Sequence, residues 1–165
     1  MKLAVDAIVF GYTKQDGVSV LLIQRKYEPF RNSWALPGGF VLENESLEEA
    51  VRRELSEETG IQVHYLEQLY TFGDPDRDPR QRIVSVAYMG LVKTSQYQDL
   101  TASTDAGDAA WFNIAKLPAL AFDHKRLLET AAERLRTKIR YQPIGFELLD
   151  KKFPFSDLEK LYMAL

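Results

Sequence analysis

Two stretches near the N-terminus, Leu3–Tyr12 and Val18–Arg25, are dominated by aliphatic and β-branched residues and are joined by a polar connection ending in Asp16-Gly17. Such a pair predicts a β-hairpin. Trp34-Ala35-Leu36-Pro37-Gly38-Gly39 predicts a loop, because proline fixes its own φ and paired glycines reach backbone conformations closed to other residues. Helical spacing then takes over from Leu47 to Thr59, opened by Ser46 with Glu49 three positions later as a capping box and closed by Gly60. Val63–Thr71 and Arg82–Val92 are expected as strands on either side of a polar surface loop, Gly73–Arg80. A short strand near Ala110–Asn113 and a helix over Lys125–Arg140 follow, the latter with Leu127, Leu128, Ala131, Leu135 and Ile139 on one side. This order predicts an α/β fold built in layers. A second capping box, Ser156 with Glu159, precedes Leu158, Leu161, Tyr162 and Leu165 at helical spacing. That last helix either packs back on the domain or opens a further unit.

Composition narrows the chemistry. With 165 residues, 45% of them hydrophobic, the chain suffices for one cored domain and a short appendage. A net charge of -3 and the absence of any long basic run argue against nucleic-acid binding by this segment alone. No cysteine is present, so a metal must be held by oxygen ligands or by the two histidines, His64 and His124. Both histidines are expected to be structural. The N-terminal apolar run is too short to span a bilayer and carries Asp6, so a soluble cytoplasmic protein is expected.

Plotted at about 100° per residue, Leu47, Ala50, Val51 and Leu55 define the inward side of the first helix. Glu54 and Glu58 fall inside that apolar arc and Glu57 at its edge. A charged run on a helix is ordinarily a solvated face. Inward carboxylates one turn apart repel one another and are costly to desolvate, so they require a cation or strong donors. Hard oxygen ligands on a rigid helix suit Mg²⁺, with Mn²⁺ as a substitute.

Gly39, Glu45, Arg53, Glu54, Leu55, Glu57, Glu58, Gly60 and Ile61 match the pattern G-x5-E-x7-R-E-U-x-E-E-x-G-U, U being apolar, at every defined position. Seven fixed identities, each met roughly once in fifteen residues, make an accidental match on the order of one in 10⁸. The chain thus resembles the Nudix hydrolases. The resemblance implies a mixed β-sheet sandwiched between α-helices, and substrates in which a nucleoside diphosphate is linked to another group. It implies Glu54, Glu57 and Glu58 as metal ligands, joined by a backbone carbonyl near Gly38 or Gly39, with Arg53 holding Glu45. A signature glutamate, Asp105 or Asp108 are the options for a general base.

Arg25, Arg77, Arg80 and Arg82, with the aromatics Phe30, Trp34, Tyr70 and Phe72, are candidates for phosphate pairing and base stacking. Arg25, Gly38, Gly39, Arg77, Arg80 and Phe72 form the expected substrate-binding set. The segments Thr71–Arg80 and Leu117–His124 resemble the ADP-ribose branch of the family. That branch includes bacterial transcription regulators with a metabolite-sensing Nudix domain and a winged-helix DNA-binding domain. On this resemblance, residues 1–142 are the Nudix domain and 143–165 a linker and first winged-helix helix, with DNA bound only by a longer form. Homodimers are expected by the same analogy. Two functions stay open: hydrolysis of ADP-ribose to AMP and ribose 5-phosphate, or sensing of ADP-ribose or a sugar metabolite without turnover.

Overall fold

The computed structural model describes residues 1–97 and 108–165. The N-terminal hairpin forms as expected from β1 (Lys2–Thr13) and β2 (Gly17–Gln24), in antiparallel register from Phe10 opposite Val20 to Thr13 opposite Gly17. Gly17 sits at the turn with φ of 70°, a left-handed conformation that glycine adopts without a Cβ penalty. The stretch expected as pure loop contains two short strands, β3 (Trp34–Ala35) and β4 (Gly38–Phe40), which pair with β2 and β1. Pairing is open to Gly38 and Gly39 because the absence of side chains lets the backbone lie directly against Val5 and Asp6.

α1 (Leu47–Thr59) has the boundaries its caps dictate: Glu49 N–H donates to Ser46 Oγ, Ser46 N–H donates to Glu49, and Gly60 is left-handed. β5 (Tyr65–Phe72) and β6 (Ile83–Leu91) are antiparallel, β6 runs parallel to β1, and β7 (Ala109–Asn113) pairs with β2. The result is a mixed seven-stranded sheet with path β3-β2-β1-β6-β5, β4 and β7 lying off that path.

Alternation along β1 divides the core in two. Val5, Ala7 and Val9 pack with Ala50, Val51 and Leu55 of α1 on one face. Ile8, Phe10 and Tyr12 pack on the other face with Leu127, Leu128, Ala131, Leu135 and Ile139 of α2 (His124–Ile139). Each such side chain contributes roughly 1.5–3 kcal/mol when fully buried, so this periodicity fixes which face of α2 meets the sheet. The expected sandwich of helices around a mixed sheet is present.

The C-terminal segment packs back. A 3-10 helix (Pro143–Leu148) and α3 (Phe155–Ala164) place Ile144, Leu148, Leu149 and Leu161 in the α2-side core, and Lys14 pairs with Asp157 at 2.5 Å. The Ser156–Glu159 capping box does not form. The helix begins two residues earlier, with Pro154 at the cap and no side-chain cap bond, so Ser156 lies within the first turn. Among the described residues, no helix is long and apolar enough to cross a membrane.

Candidate active site

The capped start of α1 and the β4 strand bring the expected carboxylates beside two glycines. Glu58, one turn beyond Glu54, accepts a hydrogen bond from Gly38 N–H at 3.0 Å. A Cβ on Gly39 would lie 2.3 Å from Glu54 Oε1, and one on Gly38 would lie 2.3 Å from the Val5 carbonyl oxygen. Both glycines are therefore required by close approach. Burial, with the nearby charges of Glu54 and Asp6, pushes the Glu58 carboxyl up to about 8 despite the Gly38 bond and the Arg25 charge, which oppose the shift.

Arg53 holds this arrangement together. Its Nε and Nη2 donate to both oxygens of Glu45 at 2.8 and 2.6 Å, its Nη2 also to the Phe40 carbonyl at 3.1 Å, and its Nη1 to Glu54 at 2.8 Å. The fork geometry of guanidinium makes this a joint between loop, strand and helix. Bonds from Arg53 and from Leu42 N–H hold the Glu45 carboxyl at about 2, and Glu45, then Glu54, raises Arg53 in return.

Opposite lies a wall from distant parts of the chain. Arg77, nearly excluded from solvent, donates from Nε and Nη2 to Asp123 at 3.0 and 2.8 Å and lies 3.7 Å from Asp6. Asp6 accepts from Ser85 Oγ at 2.5 Å, and His124 Nδ1 accepts from Leu36 N–H at 3.0 Å. Burial lowers the pKa of His124, so the neutral imidazole braces the loop leading to Gly38. Arg80 is bidentate on Asp78. Asp6, Arg25, Gly38, Gly39, Glu58, Arg77, Arg80 and Phe122 line one cavity of about 160 Å³. Arg25 and Glu58 also border a second, of about 290 Å³, with Lys26, Tyr27, Glu57 and Asp108.

The NUDIX domain family matches residues 1–131. This chain belongs to the Nudix family. An ADPR responsive transcriptional repressor, NtrR, of Acinetobacter baylyi is 36% identical over 97% of this chain, which spans 64% of that protein's length. An ADP-ribose pyrophosphatase of Methanocaldococcus jannaschii is 41% identical over 76% of this chain and 70% of its own. The crystal structure of Shewanella oneidensis NrtR superposes with a TM-score of 0.89 at 39% identity, over 99% of this chain and 77% of that one. A cocrystal structure of the Nudix domain of the same protein with ADP ribose gives 0.68 at 40% identity, over 82% and 88%.

Within the Nudix site, Glu45, Arg53, Glu54, Glu58, Gly38 and Gly39 come together with Arg25, Arg77 and Arg80. Glu57 sits at the solvent edge of this group: its side chain is 61% exposed, but it accepts from Arg53 Nη1 at 3.3 Å and borders the second cavity with Arg25 and Glu58. Among the described residues no three acidic or histidine side chains form a ready metal cage. The donor set still fits a divalent ion, since hard cations of magnesium size bind through one or two carboxylates while keeping waters and substrate oxygens. Glu58, buried among acidic neighbours, is a carboxylate that a cation would relieve.

Phe72, expected to stack on substrate, is a core residue at 3% exposure under the Arg126 guanidinium. Trp34 likewise packs against Phe112. Asp108 faces the second cavity but pairs with Lys26 at 2.9 Å, and Asp105 lies outside the described residues. Sequence reasoning gave Asp6 and Phe122 no place in the site. Asp6 had a legible signal, a lone carboxylate in an apolar strand, whereas Phe122 had only its membership of the Leu117–His124 segment.

Proposed function

We propose that this Nudix domain hydrolyses the diphosphate of ADP-ribose, or of a related nucleoside diphosphate derivative, using Mg²⁺ or Mn²⁺. The single observation that carries this reading is Glu54 and Glu58 held against Gly38 and Gly39 across a small cavity from three arginines. The chemistry a cation would supply there is neutralisation of the diphosphate charge and a lowered pKa for an attacking water. Glu54 and Glu58 would hold the cation, with Glu57 and a backbone carbonyl at Gly38 or Gly39 as further donors. Arg53 and Glu45 keep the glycine strand and α1 in register. Arg25 and Arg80 take the phosphate oxygens. Arg77, saturated by Asp123, supports the wall rather than the ligand. Glu57, Glu58 and Asp108, all bordering the larger cavity, are the options for moving the proton of the water.

A second reading has its own support. The similarity to the A. baylyi repressor and to NrtR runs through the C-terminal segment that packs on the Nudix core. On this reading the domain senses ADP-ribose within a longer, dimeric regulator and turns it over slowly or not at all. Titrating ADP-ribose into the protein with Mg²⁺ while separating the products distinguishes the two. AMP with ribose 5-phosphate supports the hydrolase, tight binding without product supports the sensor, and the absence of both binding and product removes the ADP-ribose assignment.

A further inference from the structure

We propose that Phe122 is a positioning residue that holds Arg25 and Arg80 as a two-guanidinium clamp for the phosphate-bearing part of the ligand. Its ring lies 4.7 Å from Arg25 Cζ and 5.7 Å from Arg80 Cζ, both within cation–π range. Arg80 also lies 5.8 Å from the Phe40 ring, whose other cationic neighbour is Lys2. Cations and rings thus alternate along the cavity wall.

The two arginines differ in what neutralises them. Arg80 is paired with Asp78. Arg25 donates to the carbonyls of Pro29 and Tyr27 and, among the described residues, makes no ion pair with a carboxylate. Burial and the charge of Arg80 both oppose its protonation. A half-buried guanidinium beside a second one, at the rim of a cavity, is satisfied by an anion with several acceptor oxygens, which is the geometry of phosphate.

Backbone geometry points to the same spot. Among the described residues, the non-glycine positions with positive φ are Phe30, Asn32 and Phe122, and the Phe30 and Phe122 rings meet edge to face at 4.8 Å. A bulky residue in this region costs on the order of one kcal/mol and persists only where its surroundings dictate it. Here the neighbours are pinned: Ala121 N–H donates to the Trp34 carbonyl at 2.9 Å, and Asp123 is held by Arg77. The constraint presents the Phe122 ring to the cavity instead of the core.

The identity of the ligand rests on the proposed function; the clamp itself does not. Calorimetric titrations with inorganic pyrophosphate and with ADP-ribose, both with Mg²⁺, test wild type, Phe122→Leu and Phe122→Tyr, with melting midpoints alongside. Leucine keeps apolar volume and loses the ring, so both ligands should weaken by about tenfold while the melting midpoint holds, and tyrosine should restore binding to within about twofold. Loss with Leu confined to pyrophosphate, with ADP-ribose ignored by the wild type, sustains the clamp and removes the proposed function. Equal affinities for Leu and wild type, equal losses for Leu and Tyr, or no pyrophosphate binding by the wild type each overturn the clamp. If the Leu variant does not fold, Phe122→Asn, which tolerates the same backbone, takes its place under the same expectations.

Discussion

The segment from Gly38 to Gly60 and the wall formed by Arg25, Arg77, Arg80 and Phe122 border the same cavity, yet they are assembled differently. The first is a local object: Arg53 grips Glu45 eight residues away and Glu54 next to it, and the helix is capped at both ends by its own neighbours. The second is stitched from afar. Arg77 meets Asp123 at a separation of 46 residues, Ser85 meets Asp6 at 79, and Leu36 meets His124 at 88. Local geometry makes the carboxylate side a transferable motif, whereas the wall depends on the whole sheet being in place. One consequence is that damage to the two sides should look different: the motif should fail in chemistry, the wall in stability or ligand affinity.

The largest effect is expected from the buried part of the wall. Arg77→Met leaves Asp123 and Asp6 without their cation, and breaking a buried pair from one side costs about 3–5 kcal/mol. Chemical denaturation should show that loss, and a stability close to wild type would mean that the wall does not depend on this pair. On the motif side, Gly39→Ala places a methyl where Glu54 Oε1 lies, and Arg53 limits how far that carboxylate can retreat. Hydrolysis should fall by roughly 10²-fold, the scale of an ångström misplacement, with little change in melting midpoint. A variant that loses its fold instead would erase the contrast.

Acidity sharpens the comparison within the motif itself. Glu58 has a folded-state pKa near 8, above its ordinary 4.5. Its contribution to the stability of the metal-free protein is therefore fully present below about 4.5 and lost as pH rises through 8. Glu45 runs the other way: held near 2, it supports the fold above its ordinary 4.5 and loses that support as pH falls toward 2. Thermal melts across pH should show the alkaline decline removed by Glu58→Gln and the acid one retained. At pH 8 and above, Mg²⁺ should raise the wild-type midpoint more than that of the variant. The smallest effect belongs to an exposed pair on α2: Glu129→Ala, which breaks the contact with Lys125, should leave the midpoint within measurement error.

The same contrast governs what could be read in advance. Helix α1, its caps and its inward carboxylates were legible because every determinant lies within a few turns of chain. The two cores were legible in outline from the alternation of β1 and the apolar side of α2. The short strands β3 and β4 were not, since Gly38–Phe40 is a strand only by virtue of lying against Val5 and Asp6. Phe72 and Phe122 show the limit most sharply. Both are aromatic residues in segments resembling one branch of the family, and nothing in their sequence neighbourhood indicates that the first enters the core while the second is turned by a positive φ toward the cavity. The Ser156–Glu159 pattern was a false signal, because the helix is capped at Pro154, two residues earlier.

Magnesium-dependent release of AMP from ADP-ribose, followed for wild type and Glu58→Gln side by side, tests the central claim most directly. Wild type should release AMP and ribose 5-phosphate, and the variant should lose about 10²-fold or more while remaining folded. Near-wild-type hydrolysis by Glu58→Gln would contradict it, as would a wild-type protein that neither binds ADP-ribose nor yields AMP.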